Sequence, residues 1–344
     1  VNRGRWFIVV PPHGAARQAG LLASAAFESI LGKDYCHSFD CGIYLRAFSD
    51  MLKKPDETMV VDLLNHALIV QCLASRATHL LVLALSPVTL FTLNLARAQG
   101  VKTAHWFFED FRRAGYWKDV LAGYDYFFAI QKGPIIAECE RRKSRYAFLP
   151  AAASIPPGAQ DNLTTGKRPV DVAFVGIPSS YRVALLELLA KNGVSLAIAG
   201  SGWDRYQGTL QQSILNPSWT EEKQVMQILQ SAKIGINLSV NSPDQDRSNT
   251  HVSPRVFDIC AAGCALVTEN VPLAPDTMPG LAYRTFDTND GALATVKTVL
   301  SEYASLSAEI TDNQKAIAKR HTYEKRVRTI IAECGIQNGS DNER

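Results

Sequence analysis

His251-Val-Ser-Pro-Arg-Val-Phe-Asp-Ile-Cys-Ala-Ala-Gly-Cys-Ala-Leu-Val-Thr-Glu269 reads as a short helix, a glycine stop and a buried strand. Arg255 and Asp258 stand three apart, so a helix over Pro254–Ala262 carries them on one face, one turn apart. Ala261 and Ala262 permit close packing, Gly263 ends the helix, and Ala265–Thr268 is an apolar strand. An acid near a helix start can accept from two ribose hydroxyls, while helix-start N–H groups and Arg255 can receive a diphosphate. The plainer alternative is an ordinary helix–strand unit with an Arg–Asp pair on its surface.

On both sides of this segment, short apolar runs alternate with amphipathic stretches. Strands are predicted at Trp6–Val10, His79–Leu85, Lys102–Phe107, Tyr126–Ile130 and Arg145–Leu149, with helices at Gln18–Leu31, Asp62–Arg76, Val88–Gln99 and Ile135–Arg142. From Pro150 to Pro169 the apolar period disappears, which marks a linker. A second series then runs through strands Val170–Gly176, Ser195–Ala199, Lys233–Leu238 and Ala265–Thr268, with helices Tyr181–Lys191, Thr220–Ser231 and Pro254–Ala262. The chain is therefore α/β, with two Rossmann-like domains built on parallel sheets. The expected boundaries are residues 1–155, a linker at 156–169, residues 170–320, and a closing helix and tail at 321–344. The two domains are expected to face each other across a cleft, with ligands at the carboxyl ends of the strands.

Other motifs fall at those strand ends. Asp171-Val-Ala-Phe-Val-Gly176 is a strand ending in glycine, followed by Arg182 in the next helix. Gly200-Ser-Gly202-Trp203 follows the next strand, but Arg205 leaves the G-x-G-x-x-G fingerprint half complete, which argues against a nicotinamide dehydrogenase. Asn237 and Ser239 end a third strand, and the polar loop Asn241–Asn249 follows. His321-Thr-Tyr323 and Arg326 open the last helix. In order and spacing this set resembles GT-B glycosyltransferases, in particular the CgeB-like (spore-maturation type) group. The likeness covers Asp171–Ile330 well and the first half more loosely, through Tyr124-Asp-Tyr-Phe-Phe and Tyr146-Ala-Phe-Leu-Pro-Ala-Ala.

The resemblance implies a nucleotide-sugar donor, UDP-linked, bound as substrate by the second domain, with no further cofactor. Asp258 would hold the ribose. Arg182 and Arg255 would offset the diphosphate charge in place of a metal ion, and Gly176, Gly200, Gly202, Trp203, Asn237, His251 and Glu269 would complete the donor site. The last helix would cross back to the first domain. One departure matters: in the E-x7-E pattern of many retaining members, Asp258 takes the second position and Thr250 the first, where no carboxylate stands. Retention or inversion stays open.

The first domain should hold the acceptor and a general base. His13 ends the first strand, in Val10-Pro-Pro-His13, and Glu109 and Asp110 end the central strand, in His105-Trp-Phe-Phe-Glu-Asp110. A base at either tip could take a hydroxyl proton. The resemblance favours Asp110, then His13, then Glu109; His66 and His79 read as structural. A sugar-nucleotide epimerase and a non-catalytic nucleotide-sugar-binding protein are the rival readings. The acceptor (protein, polysaccharide, lipid or small molecule) is not specified by the sequence.

Composition narrows the partners. Apolar residues make up 47% and charged residues 20% of the 344, a soluble globular profile. Lys and Arg total 36 against 33 acids, so a net charge of +3 gives no general pull toward nucleic acid. Basic stretches at Glu140–Arg145 and Lys319–Arg328 read as solvated helix faces, with peripheral membrane contact as the second option. The 7 cysteines form no C-x-x-C pair, so a reducing compartment is expected, and Cys36–Cys41 read as core and loop residues rather than metal ligands. Asp244-Gln-Asp246 has the D-x-D letters but lies in the polar loop, so no metal is expected. Val1–Arg5 leads into a strand rather than an apolar leader, and Leu80–Leu85, the most apolar stretch, is too short to cross a bilayer. A cytoplasmic protein, and a homo-oligomer as one option, follow as expectations.

Overall fold

The computed structural model describes residues 4–52, 56–155, 167–241 and 251–335. Residues 156–166 of the expected linker, the polar loop from 242 onward with Asp244 and Asp246, and Thr250 lie outside the described residues. The chain forms two compact units, Val1–Ala151 with Tyr323–Arg344, and Ala152–Thr322.

The first unit is built on six parallel strands: β1 (Trp6–Val10), β2 (Cys36–Asp40), β3 (His79–Leu83), β4 (Lys102–Phe107), β5 (Tyr126–Ala129) and β6 (Arg145–Phe148). They lie in the order β2-β1-β3-β4-β5-β6. β1 and β3 are apolar runs buried at every position, as strands covered on both faces must be. β2 corrects the loop expected at Cys36–Cys41. It is an edge strand in register with β1 from Trp6↔Cys36 to Val10↔Asp40, and only Phe39 in it is buried. The helix Glu57–Ala74 starts earlier than predicted and is 18 residues long. It is long and apolar enough to cross a membrane by length and composition alone, at mean hydropathy 1.2. In this unit Leu64, Leu68 and Cys72 form its buried side. The helix Tyr323–Glu333 packs Val327, Ile330 and Ile331 inward and lies against the helix Gly14–Leu31. Arg326 Nε donates to the Ala151 carbonyl at 2.9 Å.

The second unit repeats the plan with β7 (Val170–Val175), β8 (Leu196–Ala199), β9 (Ile214–Asn216), β10 (Ala232–Asn237), β11 (Ala265–Glu269) and β12 (Arg284–Phe286), in the order β12-β11-β10-β7-β8-β9. Phe174, Ile198, Ile236 and Val267 from the strands meet Leu185, Leu189, Val296 and Val299 from the helices Ser180–Lys191 and Asn289–Glu302 in one core.

Each sheet reverses direction once. The chain runs from β1 out to β2 and returns to β3 on the other side; it runs from β7 to β8 and β9 and returns to β10. At such a switch point the loops leave opposite ways, and the crevice between adjacent carboxyl ends is where open α/β sheets bind ligands.

Candidate functional site

At the β7/β10 switch point the two exits are tied together. Arg182 donates from Nε to the Ser239 carbonyl at 3.0 Å, from Nη1 to Ile177 O at 2.8 Å and from Nη2 to Leu238 O at 2.6 Å. Its guanidinium also lies over the Phe174 ring at 5.3 Å. Planar donors matched to three carbonyls make Arg182 a clasp for the β10 exit. Ser179 caps the helix Ser180–Lys191 and donates its hydroxyl to Val240 O at 2.7 Å.

The glycine loop is also held from below. Gly200 has φ +138°, and a Cβ there would stand 2.3 Å from the Gly176 carbonyl oxygen, so only glycine lets the two turns cross. Gly202 follows in the left-handed region. Trp203 is 1% exposed and donates Nε1 to Gly176 O at 2.8 Å. It is therefore a pillar under the Gly176 turn.

Across the sheet, Asn237 Nδ2 donates to Thr268 Oγ1 at 2.9 Å. Glu269 is buried at the end of β11 and accepts from the Ser239 N–H at 2.8 Å and from the Ser239 hydroxyl. Burial raises the Glu269 carboxyl above its ordinary range, against the pull of Ser239, Tyr181 and Arg182.

The decisive cluster lies on the helix Arg255–Ala261. Asp258 is 3% exposed; its Oδ1 accepts from the Ser154 N–H at 2.7 Å and its Oδ2 from Arg255 Nη1 at 2.8 Å. The Arg255 side chain keeps 23% exposure. Glu222 completes the group. Its Oε1 is buried without a hydrogen-bond partner, and the Ser154 side chain hydrogen-bonds to the carboxyl. Burial pushes the Glu222 carboxyl well up, and the Asp258 charge pushes it further. Asp258 is raised by burial too, with Arg255 pulling it back. No motif in the sequence singles out Glu222; the fold places it beside Asp258. His251 is half-buried at the start of the same segment.

The first-unit candidates separate clearly. The Asp110 carboxylate accepts from Arg112 N at 2.9 Å, Nε at 3.0 Å and Nη2 at 2.6 Å, and from Gln131 Nε2 at 3.4 Å. These contacts tie the Asp110 carboxylate into the loop that follows β4. Glu109 is half-buried, and burial raises its carboxyl. His13 is exposed at the tip of β1, ahead of the helix Gly14–Leu31, and borders a cavity at the β1/β3 switch point. His79 stacks on Trp6 at 4.6 Å, and burial lowers it to about 4. His66 sits on a helix surface with Nδ1 2.7 Å from Asp62 O. Burial pushes the Cys36 and Cys41 thiols up to about 12, so neither is a ready thiolate. Among the described residues no group of three His, Cys, Asp or Glu side chains is placed to hold a metal.

Residues 182–332 match the family described as "Glycosyl transferase-like". Alpha,alpha-trehalose 6-phosphate synthase from Burkholderia multivorans is similar over 96% of this chain and 100% of its own, at 12% identity and TM-score 0.59. Sucrose-phosphate synthase from Thermosynechococcus elongatus is similar over 96% and 98%, at 10% identity and TM-score 0.62. The E. coli trehalose-6-phosphate protein bound with UDP-2-fluoro glucose covers 96% and 98%, at 12% identity and TM-score 0.57. No curated protein matches by sequence. At such identities the structural likeness establishes the fold. The chain has the two-domain GT-B architecture.

Proposed function

We propose that this chain is a glycosyltransferase of the CgeB-like group that moves a sugar from a UDP-linked donor to an acceptor hydroxyl without a metal ion. The observation that carries this reading is the buried Asp258–Arg255 pair inside the segment that matches a glycosyl transferase-like family. The Asp258 carboxylate accepts from the Ser154 N–H and hydroxyl and from Arg255, and its two oxygens together have acceptor capacity beyond these three for a ribose hydroxyl. Arg255, partly exposed, meets the diphosphate as negative charge develops on the leaving group. The helix has only seven residues, so its dipole adds little and the guanidinium carries the term.

In the transfer step the acceptor oxygen bonds to the anomeric carbon of the sugar. The bond from that carbon to the diphosphate breaks, and its electron pair leaves with the nucleotide. The hydroxyl proton passes to a base of the first unit. His13 is the preferred base because it borders an open cavity, whereas Asp110 is held by Arg112. Glu109 is second, since its raised carboxyl suits proton transfer.

The test is a thermal-shift screen against nucleotide sugars, followed by an assay of nucleoside diphosphate release with and without EDTA. A ligand present at about 100 times its Kd stabilises the fold by about 2.7 kcal/mol, a readily measured shift. A stabilising nucleotide sugar with EDTA-insensitive turnover supports the reading; loss of turnover in EDTA ends the metal-free part of it.

A further inference from the structure

The first unit contains a cavity of about 460 Å³ at its β1/β3 switch point, within the range of small-molecule sites. Its lining is mostly apolar, with Pro12 after β1, Leu45 on the helix Cys41–Met51, Val61 on the helix Glu57–Ala74 and Leu85 after β3; His13, Ser49 and Glu57 are its polar residues.

Two independent features show that this cavity is built. The helix Cys41–Met51 lies against the β1 exit because residue 42 is glycine: a Cβ there would stand 2.3 Å from the Pro12 carbonyl oxygen. Asp40 fixes that helix, accepting from the Gly42 N–H at 2.9 Å and from Arg17 Nε at 3.1 Å. The second feature is Leu85. It adopts φ +66°, a left-handed conformation that leucine rarely takes, and its N–H donates to the Tyr116 hydroxyl oxygen at 2.7 Å. The strain gains no core packing, because the Leu85 side chain is 43% exposed at the cavity. Strain of this kind, held in place by a neighbour, belongs to ligand clamps.

We propose that this cavity binds the acceptor, and that the acceptor is an uncharged alcohol or phenol with an apolar body rather than a sugar phosphate. The proposal rests on the glycosyltransferase reading above. A phosphate dianion needs charge-assisted donors. Among the described lining residues there is no Lys or Arg, and the Glu57 carboxylate repels an anion. An apolar ring or chain instead fills the space between Leu45, Val61 and Leu85, with its hydroxyl toward His13.

The probe is 2-naphthol, a neutral fluorescent phenol, titrated into the full chain with glucose 6-phosphate as competitor. Val61→Trp fills the cavity from a half-buried position, and Leu85→Gly removes the apolar wall while relieving the left-handed strain. The expected results are saturable naphthol binding, at least tenfold weaker in both variants, no competition by glucose 6-phosphate, and a naphthyl glycoside seen by mass spectrometry with the stabilising nucleotide sugar. If Val61→Trp fails to fold, Leu85→Gly decides, its melting temperature being at or above that of the parent. Competition by glucose 6-phosphate, or naphthol binding indifferent to Leu85→Gly, overturns the proposal. Nucleotide-sugar binding without naphthol binding overturns the cavity assignment alone. Naphthol binding in a chain that binds no nucleotide sugar overturns the transfer reading and with it the acceptor role.

Discussion

The Asp258 carboxylate joins Ser154 to Arg255: Oδ1 accepts from the Ser154 N–H at 2.7 Å and Oδ2 from Arg255 Nη1 at 2.8 Å, with Asp258 itself buried. Asp258→Ala strands both donors. Because Arg255 retains 23% exposure and can rehydrate in part, the expected loss in urea denaturation is about 2 kcal/mol, below the roughly 3–5 typical of a wholly buried pair. A loss under about 0.5 kcal/mol, the size typical of an ordinary surface substitution, would show that the pair is solvated in solution.

Glu222 gives a pH signature. Its folded-state carboxyl is raised by burial and by Asp258. Above the ordinary carboxylate range the unfolded chain releases this proton while the folded chain retains it. Fewer protons bound in the unfolded state means that stability falls as pH rises. Glu222→Gln removes that loss, so its melting temperature relative to the parent should climb from pH 4.5 to pH 8. A constant difference across that range contradicts the assignment.

Arg182 and Arg255 should behave differently toward salt. Arg182→Lys cannot reach three carbonyls, and at about 1 kcal/mol for each net hydrogen bond the expected cost is about 2–3 kcal/mol. The salt dependence of nucleotide-sugar affinity should survive in Arg182→Gln and flatten in Arg255→Gln, because removing the charge nearest the diphosphate removes most of the screened attraction. Flattening in Arg182→Gln alone would exchange their roles.

Base candidates separate by kinetics. His13→Gln should lower kcat by about 10²-fold or more, the usual contribution of a general base. Asp110→Asn should leave kcat within a few-fold and lower the melting temperature, since it loosens the Arg112 and Gln131 contacts. The reverse pattern restores Asp110 as the base.

His79 tests the N-terminal core. Burial lowers it to about 4, so the folded chain keeps it neutral while the unfolded chain takes up a proton below about 6.5. More protons bound in the unfolded state means that stability is lost as pH falls from about 6.5 toward 4. His79→Gln should reduce that acid sensitivity in thermal melts; unchanged sensitivity places its source elsewhere.

Much of the α/β fold was readable because its central strands are apolar runs between turn residues. Lys102–Phe107 has the bounds the pattern predicts, and β1 likewise. Edge strands escaped for a physical reason. Cys36–Asp40 buries only Phe39, and Ile214–Asn216 and Arg284–Phe286 have three residues each, too few for a period to show. Local spacing put Arg255 and Asp258 on one turn, because both sit on one helix. It gave no access to Glu222 or Ser154, which reach Asp258 from distant parts of the chain, and none to the Leu238 and Ser239 carbonyls that hold Arg182. The Leu85 backbone angle left no trace in its residue type at all.

Isothermal titration of UDP-sugars into the full chain and into Asp258→Ala tests the central claim most directly. The account predicts saturable heat with at least one donor for the parent chain and at least a 30-fold weaker Kd for the variant, about 2 kcal/mol of lost binding. Equal affinity in a variant that melts cooperatively, or no heat with any nucleotide sugar, would contradict it.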